Sequence, residues 1–388
     1  MAARSLAPDK TTVDPWRSIN PVRLIDTFIE LVQINSPSFN EHEIGAWLIE
    51  RLVALGLTVD SQNYGASFNL TGRMAGTVRA VEPVMLSCHM DTVESTKGLK
   101  LIREGGIIKT DGGTILGADD KSGIAEILEA LHVLKEQDLP HGDIEVVFTS
   151  AEERGLVGAK NLNFGSLKSR IALVLDCSGS IGRVVLAAPT HDSYVMRITG
   201  RAAHAGIEPE RGTSAIKAAA KIISEVPDGR IDPNTTANIG IIHGGTATNI
   251  VPKEVTLEGE IRSHDADSLE RTKTVIFDTA RRLAKKNQVK LQIEENRQYH
   301  GFHIGEADEF VRLIKDVCED LSITPEFIVY GGGSDANIYN SHGIKSLVIS
   351  SGMQMPHTTD EFIKEEDLSK AALILLGVLR AMAFDSKV

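Results

Sequence analysis

Apolar positions three and four apart over residues 22–32, and again over 42–55, predict two amphipathic helices near the start of the chain. The pattern then shortens. Val84-Met85-Leu86-Ser87-Cys88 is a brief apolar run, and residues 144–149 and 171–175 are two more. Runs of this length with β-branched content read as buried strands. Residues 122–135 return to helical spacing, entered through Gly117-Ala118-Asp119-Asp120.

Strands alternating with helices predict an α/β sheet, in which sites sit just beyond the carboxyl ends of strands. Past Pro189 the texture changes. Strands are expected over 191–199, 237–243, 255–262 and 289–294, with helices over 213–226 and 268–284. That β-α-β-β-α-β order is the ferredoxin-like pattern. Afterwards the α/β texture resumes, with a helix over 309–321, strands over 327–329 and 346–349, and a last helix over 366–382. The expected organisation is therefore a discontinuous first domain, residues 1–188 and 299–388, carrying an inserted α+β domain over 189–298.

Composition removes several function classes. The 388 residues are 42% hydrophobic and 24% charged, enough for large cores. The formal charge of -12 argues against nucleic acid as a partner, which would favour a basic face. Cys88, Cys177 and Cys318 form neither a disulfide framework nor a zinc-finger spacing. No apolar run approaches bilayer length, and residues 1–16 read as a frayed polar tail without an apolar stretch. No membrane partner and a cytoplasmic location are the expectations.

Candidate chemistry lies where the strands stop. The first ends on His89-Met90-Asp91, whose side chains two apart point the same way on an extended chain. A histidine ligand needs a partner that fixes its tautomer, and Asp91 is placed to serve. Asp119-Asp120 before a helix is equally read as an N-cap favoured by the helix dipole, or as a carboxylate bridging two cations. Glu152-Glu153 follow the second strand. Neighbours on an extended chain diverge, so one can hold a metal while the other serves as general base. Asp176 follows the third strand, and His357 sits in a late loop. Two histidines and three carboxylates form a nitrogen and oxygen set suited to two divalent ions, zinc first, with cobalt or manganese as alternatives.

In this order the motifs resemble the co-catalytic metallopeptidases that include aminoacylase, carboxypeptidase G and peptidase T. The resemblance rests on His89-x-Asp91, Gly117-Ala-Asp119-Asp-Lys, Glu152-Glu153, Asp176, Gly200-Arg-Ala-Ala-His204 and His357, and it covers nearly the whole chain. The segments Gly117–Gly123, Thr149–Glu153 and Pro356–Glu361 are closest to the peptidase T branch. One departure is that Tyr330 stands where that branch has an arginine before its late glycines.

The resemblance implies a mixed-sheet, phosphorylase/hydrolase-like catalytic domain with an inserted α+β ferredoxin-like lid and dimerisation domain, and it implies roles. Asp119 bridges the metals, His89 and Asp176 hold one ion, and Glu153 and His357 hold the other. Glu152 is the base, Asp91 orients His89, and the Asp119–Asp120 peptide is cis. His204 would approach the reacting carbonyl from the lid, while Asn249 and Arg262 would contact substrate, Arg262 through a bidentate grip on a carboxylate. The implied activity is hydrolysis of short peptides, as by a tripeptide aminopeptidase, with a homodimer formed through the inserted domain. The rival readings are an N-acyl amino acid deacylase of the same fold and a non-catalytic, metal-stabilised binding protein.

Overall fold

The computed structural model describes residues 19–384, so the expectation for residues 1–16 lies outside it. The chain divides into two compact units. One comprises the described residues up to Leu186, Ile304–Val329 and those from Ser334 onward. The other comprises Ala187–His303 and Tyr330–Gly333.

The first unit is α/β and built on a mixed sheet. Its strands lie side by side in the order Thr58–Tyr64, Ser67–Met74, Ile144–Thr149, Val84–His89, Ile171–Cys177, Lys345–Ser350 and Arg183–Ala188. The central pairs are parallel, joining Val84–His89 to both Ile144–Thr149 and Ile171–Cys177, and Ile171–Cys177 to Lys345–Ser350. Antiparallel strands flank them. Both faces of the centre are covered, which is why these strands are predominantly apolar rather than alternating. The helix Ala118–Glu136 lies against Val84–His89 and touches the helices Pro21–Gln33 and Glu365–Phe384. It is buried nearly all round, through Ile124, Ile127, Leu128, Leu131 and Leu134. Each such side chain contributes about 1.5–3 kcal/mol on burial. The approach to the sheet is close: a Cβ on Gly123 would lie 2.6 Å from Cys88 Sγ and 2.7 Å from Leu175 Cβ. Among the described residues no helix is long and apolar enough to cross a membrane.

The second unit is a five-stranded antiparallel sheet, ordered Gly229–Asp232, Thr235–Gly244, Glu254–Ser263, Thr190–Thr199 and Lys290–Tyr299. Two helices, Ala215–Glu225 and Ala266–Lys286, complete it. Met196, Ile198, Ala218, Ile222, Leu257, Ile261, Ile276 and Leu283 share its core. Along Thr190–Thr199 burial alternates, so one sheet face packs on the helices. The expected β-α-β-β-α-β order is present with one addition, the short edge strand Gly229–Asp232. Its sequence is too polar and too brief to show a period. A turn in which Asn234 N–H donates to the Asp232 carboxylate folds it back onto Thr235–Gly244.

Candidate active site

His89 is the last residue of its strand, and there the chain leaves the sheet. Its imidazole is buried at 2% exposure. Nδ1 lies 2.9 Å from the carbonyl oxygen of Asp91 and 3.5 Å from the Asp91 carboxylate. A carbonyl only accepts, so Nδ1 carries a proton, which leaves Nε2 as the ring nitrogen that can face a cation. Nε2 lies 3.0 Å from Asp119 Oδ1 and 3.9 Å from Asp176 Oδ1.

Asp91 lies two residues past the strand end, and its carboxylate is on the His89 side, as the spacing leads one to expect. Its carboxylate also does more than face His89. Oδ1 accepts the main-chain N–H of Glu152 at 3.0 Å, and Oδ2 accepts that of Glu153 at 3.3 Å and the Ser38 hydroxyl at 2.7 Å. Glu152 and Glu153 belong to a 3₁₀ turn, Glu152–Arg154, entered through Ala151 at φ +50°. The extended-chain argument for their divergence therefore does not apply, since the chain is already turning.

Asp119 lies between the two histidines: Oδ1 faces His89 and Oδ2 is 3.1 Å from His357 Nε2. His357 Nε2 is also 2.8 Å from Glu153 Oε1. The peptide joining Asp119 to Asp120 is cis, and both residues depart from helical backbone angles. Asp176 lies within the strand Ile171–Cys177, one residue before its end, where sequence reasoning places it just beyond.

Two triads with one shared member result. His89, Asp119 and Asp176 bring their ligand atoms within 4.8 Å of one another, and so do Asp119, Glu153 and His357. Glu152 joins His89 and Glu153 in a third such group. Burial pushes the Glu152 carboxyl well up, and neighbouring Asp176 adds to that; burial does the same to Asp176, with Asp119 adding. Burial also acts upward on Asp119, but hydrogen bonds from His357 and His89 hold it below the usual carboxylate range. His357 is pushed up to about 10 by Asp119 and then Glu153. Imidazoles and crowded buried carboxylates in two overlapping triads are a donor set that divalent cations satisfy, and the residues fit such ions.

Three acidic residues given no role by the sequence help to build the site. Glu361 is 1% exposed, and its carboxylate accepts the N–H groups of Leu116, Gly117 and Asp119. Burial pushes it up to about 7. Glu41 accepts the N–H of Ala151 at 2.9 Å. Asp335 accepts the Thr149 hydroxyl at 2.5 Å, and burial raises it to about 6. Glu361 and Asp335 fall inside segments whose motifs are visible, but nothing in residue type separates a brace from a ligand. Glu41 carries no signal at all.

In the second unit, His204 and Asn249 are neighbours. His204 forms a bridge with Ile250, and Ala205 N–H donates to the Asn249 carbonyl at 2.9 Å. Both side chains are exposed. Arg262 is elsewhere, near the end of Glu254–Ser263. Its fork is engaged, with Nε 3.0 Å and Nη2 3.1 Å from the Glu260 carboxylate and Nη1 3.3 Å from Tyr299 OH.

Residues 69–219 match the model of peptidase family M28, and residues 188–288 match that of the peptidase dimerisation domain. A tripeptidase of Staphylococcus aureus has a similar structure, at 40% identity and a TM-score of 0.90, covering 95% of this chain and 100% of that one. Aminopeptidase PepT of Bacillus cereus gives 39% identity and a TM-score of 0.86, with 94% and 100% covered. Peptidase T of Citrobacter koseri is 29% identical over 281 residues, 71% of this chain and 68% of its own length. With this likeness over nearly its full length, the chain belongs to the peptidase T family of metallopeptidases.

Proposed function

We propose that this protein is a metallo-exopeptidase that hydrolyses short peptides, tripeptides above all, using two divalent ions, zinc in the first instance. The observation that carries the reading is the pair of ligand triads sharing Asp119, with the separate carboxylate of Glu152 beside them. A scaffold held by metal alone has no use for that extra acid.

When bound, the ions supply Lewis acidity at the scissile carbonyl and make water acidic enough to attack near neutral pH. Glu152 accepts the proton of the attacking water and returns it to the leaving amine. Asp91 fixes the main chain of Glu152 and Glu153 through its carboxylate and sets the His89 tautomer through its carbonyl. His204 donates to the developing oxyanion, and Asn249 and Arg262 contact the substrate, Arg262 after exchanging Glu260 for a substrate carboxylate. Residues 1–188 and 299–388 supply the catalysis and residues 189–298 the lid, with the enzyme working in the cytoplasm.

A homodimer through the second unit completes the proposal. The match to the dimerisation domain supports it. So does the edge of Thr235–Gly244: its neighbour Gly229–Asp232 pairs only as far as Ala237, and Ile241 and Ile242 beyond are 45% and 53% exposed. Light scattering on the purified protein tests the dimer.

The substrate is tested with di-, tri- and tetrapeptides and N-acyl amino acids, each assayed with zinc, cobalt or manganese. Tripeptides should turn over fastest. Faster release of acyl groups from N-acyl amino acids would replace the peptidase reading with a deacylase.

A further inference from the structure

Glu361 is buried among main-chain donors rather than cations. Its Oε2 accepts Leu116 N–H at 2.8 Å and Gly117 N–H at 2.7 Å, and its Oε1 accepts Asp119 N–H at 3.0 Å. Those donors belong to the turn that delivers Asp119. Gly117 has φ +75°, a left-handed conformation that costs glycine little and helps successive N–H groups converge on one point. Asp119 itself, in the first turn of Ala118–Glu136, has the non-helical angles φ -80° and ψ 103°, and its N–H finds this acceptor instead of a helical partner.

The same residue closes the loop that carries His357. Glu361 N–H donates to Thr358 O at 3.2 Å, and Gln354 and Phe362 exchange both main-chain hydrogen bonds at 2.9 and 3.1 Å. Between those closures Met355 and His357 have φ of +53° and +63°, which side chains larger than glycine seldom adopt. The His357 side chain is 50% exposed, against 2% for His89. Packing locks His89 in place, whereas His357 depends on how its loop is tied.

We propose that Glu361 is a positioning residue that ties the His357 loop to the Asp119 turn and so sets the geometry of the metal position formed by Asp119, Glu153 and His357. This rests on the metal-ligand reading above, though not on which substrate is cleaved. Glutamine at 361 keeps one acceptor oxygen and presents an amide NH₂ to at least one N–H donor, so the two segments repel locally. Aspartate keeps the charge but is one methylene short of reaching all three donors.

The test is cobalt titration of the metal-free full chain and of its Glu361→Gln and Glu361→Asp variants, followed by calorimetry and by the visible spectrum of the bound ion. In the parent, two binding events are expected. In Glu361→Gln the event assigned to the Asp119–Glu153–His357 side should weaken by about 10–100-fold, the usual cost of losing such a supporting contact. The event on the His89–Asp119–Asp176 side should move much less, and Glu361→Asp should fall between parent and Glu361→Gln. Peptide turnover should fall in kcat with KM little changed, and excess metal should restore part of it. Both cobalt events unchanged alongside a lowered melting temperature would make Glu361 a purely structural brace and overturn the proposal. Equal weakening of both events would overturn it too. A parent that binds two ions yet cleaves no peptide would refute the peptidase reading while leaving the cobalt result on Glu361 intact.

Discussion

Asp91 joins His89 to Glu152, the proposed ligand to the proposed base, through two different parts of one residue: its carbonyl oxygen is 2.9 Å from His89 Nδ1, and its Oδ1 accepts Glu152 N–H at 3.0 Å. The carbonyl survives any substitution, whereas the carboxylate does not. Asp91→Ala should therefore leave the His89 tautomer in place and release the Glu152–Glu153 turn. Turnover is expected to fall about 10–100-fold, with the tighter of two metal-binding events little altered. Steady-state kinetics alongside metal titration checks this. Loss of all metal binding would place Asp91's effect on His89 instead.

Metal removal should affect both activity and stability. His89, Asp119, Glu152, Glu153 and Asp176 crowd acids and an imidazole into one buried site, and a cation relieves that crowding. A ligand that binds only the folded state adds about 2.7 kcal/mol when present at a hundred times its dissociation constant. Chelation should abolish turnover and lower the melting temperature, and zinc, cobalt or manganese should restore both. An unchanged melting temperature on chelation would count against bound metal.

The pH dependence of folding offers a test away from the metal ligands. In the second unit, hydrogen bonds from His191 and Arg262 hold the Glu260 carboxyl at about 2, below its ordinary 4.5. A carboxyl lowered by folding binds fewer protons in the folded state, so its stabilisation is full above pH 4.5 and fades as pH falls towards 2. Glu260 is partly exposed, which limits the effect to about 1 kcal/mol. Glu260→Gln should be less stable than the parent at pH 7 by roughly that amount, and the gap should close through the acid range. Urea unfolding of metal-free protein across pH measures it, and a gap independent of pH would refute the assignment.

Gly123 is where the buried helix meets the sheet. A methyl group there would press on Cys88 Sγ and Leu175 Cβ, whose chain neighbours are His89 and Asp176. Gly123→Ala should cost about 1–3 kcal/mol despite the better helix propensity of alanine. Thermal unfolding that shows stabilisation would mean that the helix shifts to accept the methyl group.

How much of this was legible in the sequence differs by element. The strands ending at His89 and Thr149 stand out because burial on both faces leaves mostly apolar residues, broken only by Ser87 in one and Glu145 in the other before the terminal His89 and Thr149. The strand Thr58–Tyr64 does not, since it is a polar edge with alternating partial exposure. The five ligand-type residues were visible because chemistry restricts their identity, and the fold brings them together from distant points. Glu361 and Glu41 were not legible: a carboxylate receiving main-chain N–H groups looks in sequence like any other glutamate. The turn of Glu152–Glu153 looks extended in sequence because the residue at positive φ that opens it, Ala151, is not a glycine.

If Glu152 moves protons while other residues hold the metal, Glu152→Gln separates the two roles. Tripeptide turnover and bound metal should be measured on the same zinc-loaded preparation. The expected result is a loss in kcat of about 10²–10⁴-fold, the usual contribution of a general base, with metal content equal to that of the parent. Retained turnover at full metal occupancy would contradict the account.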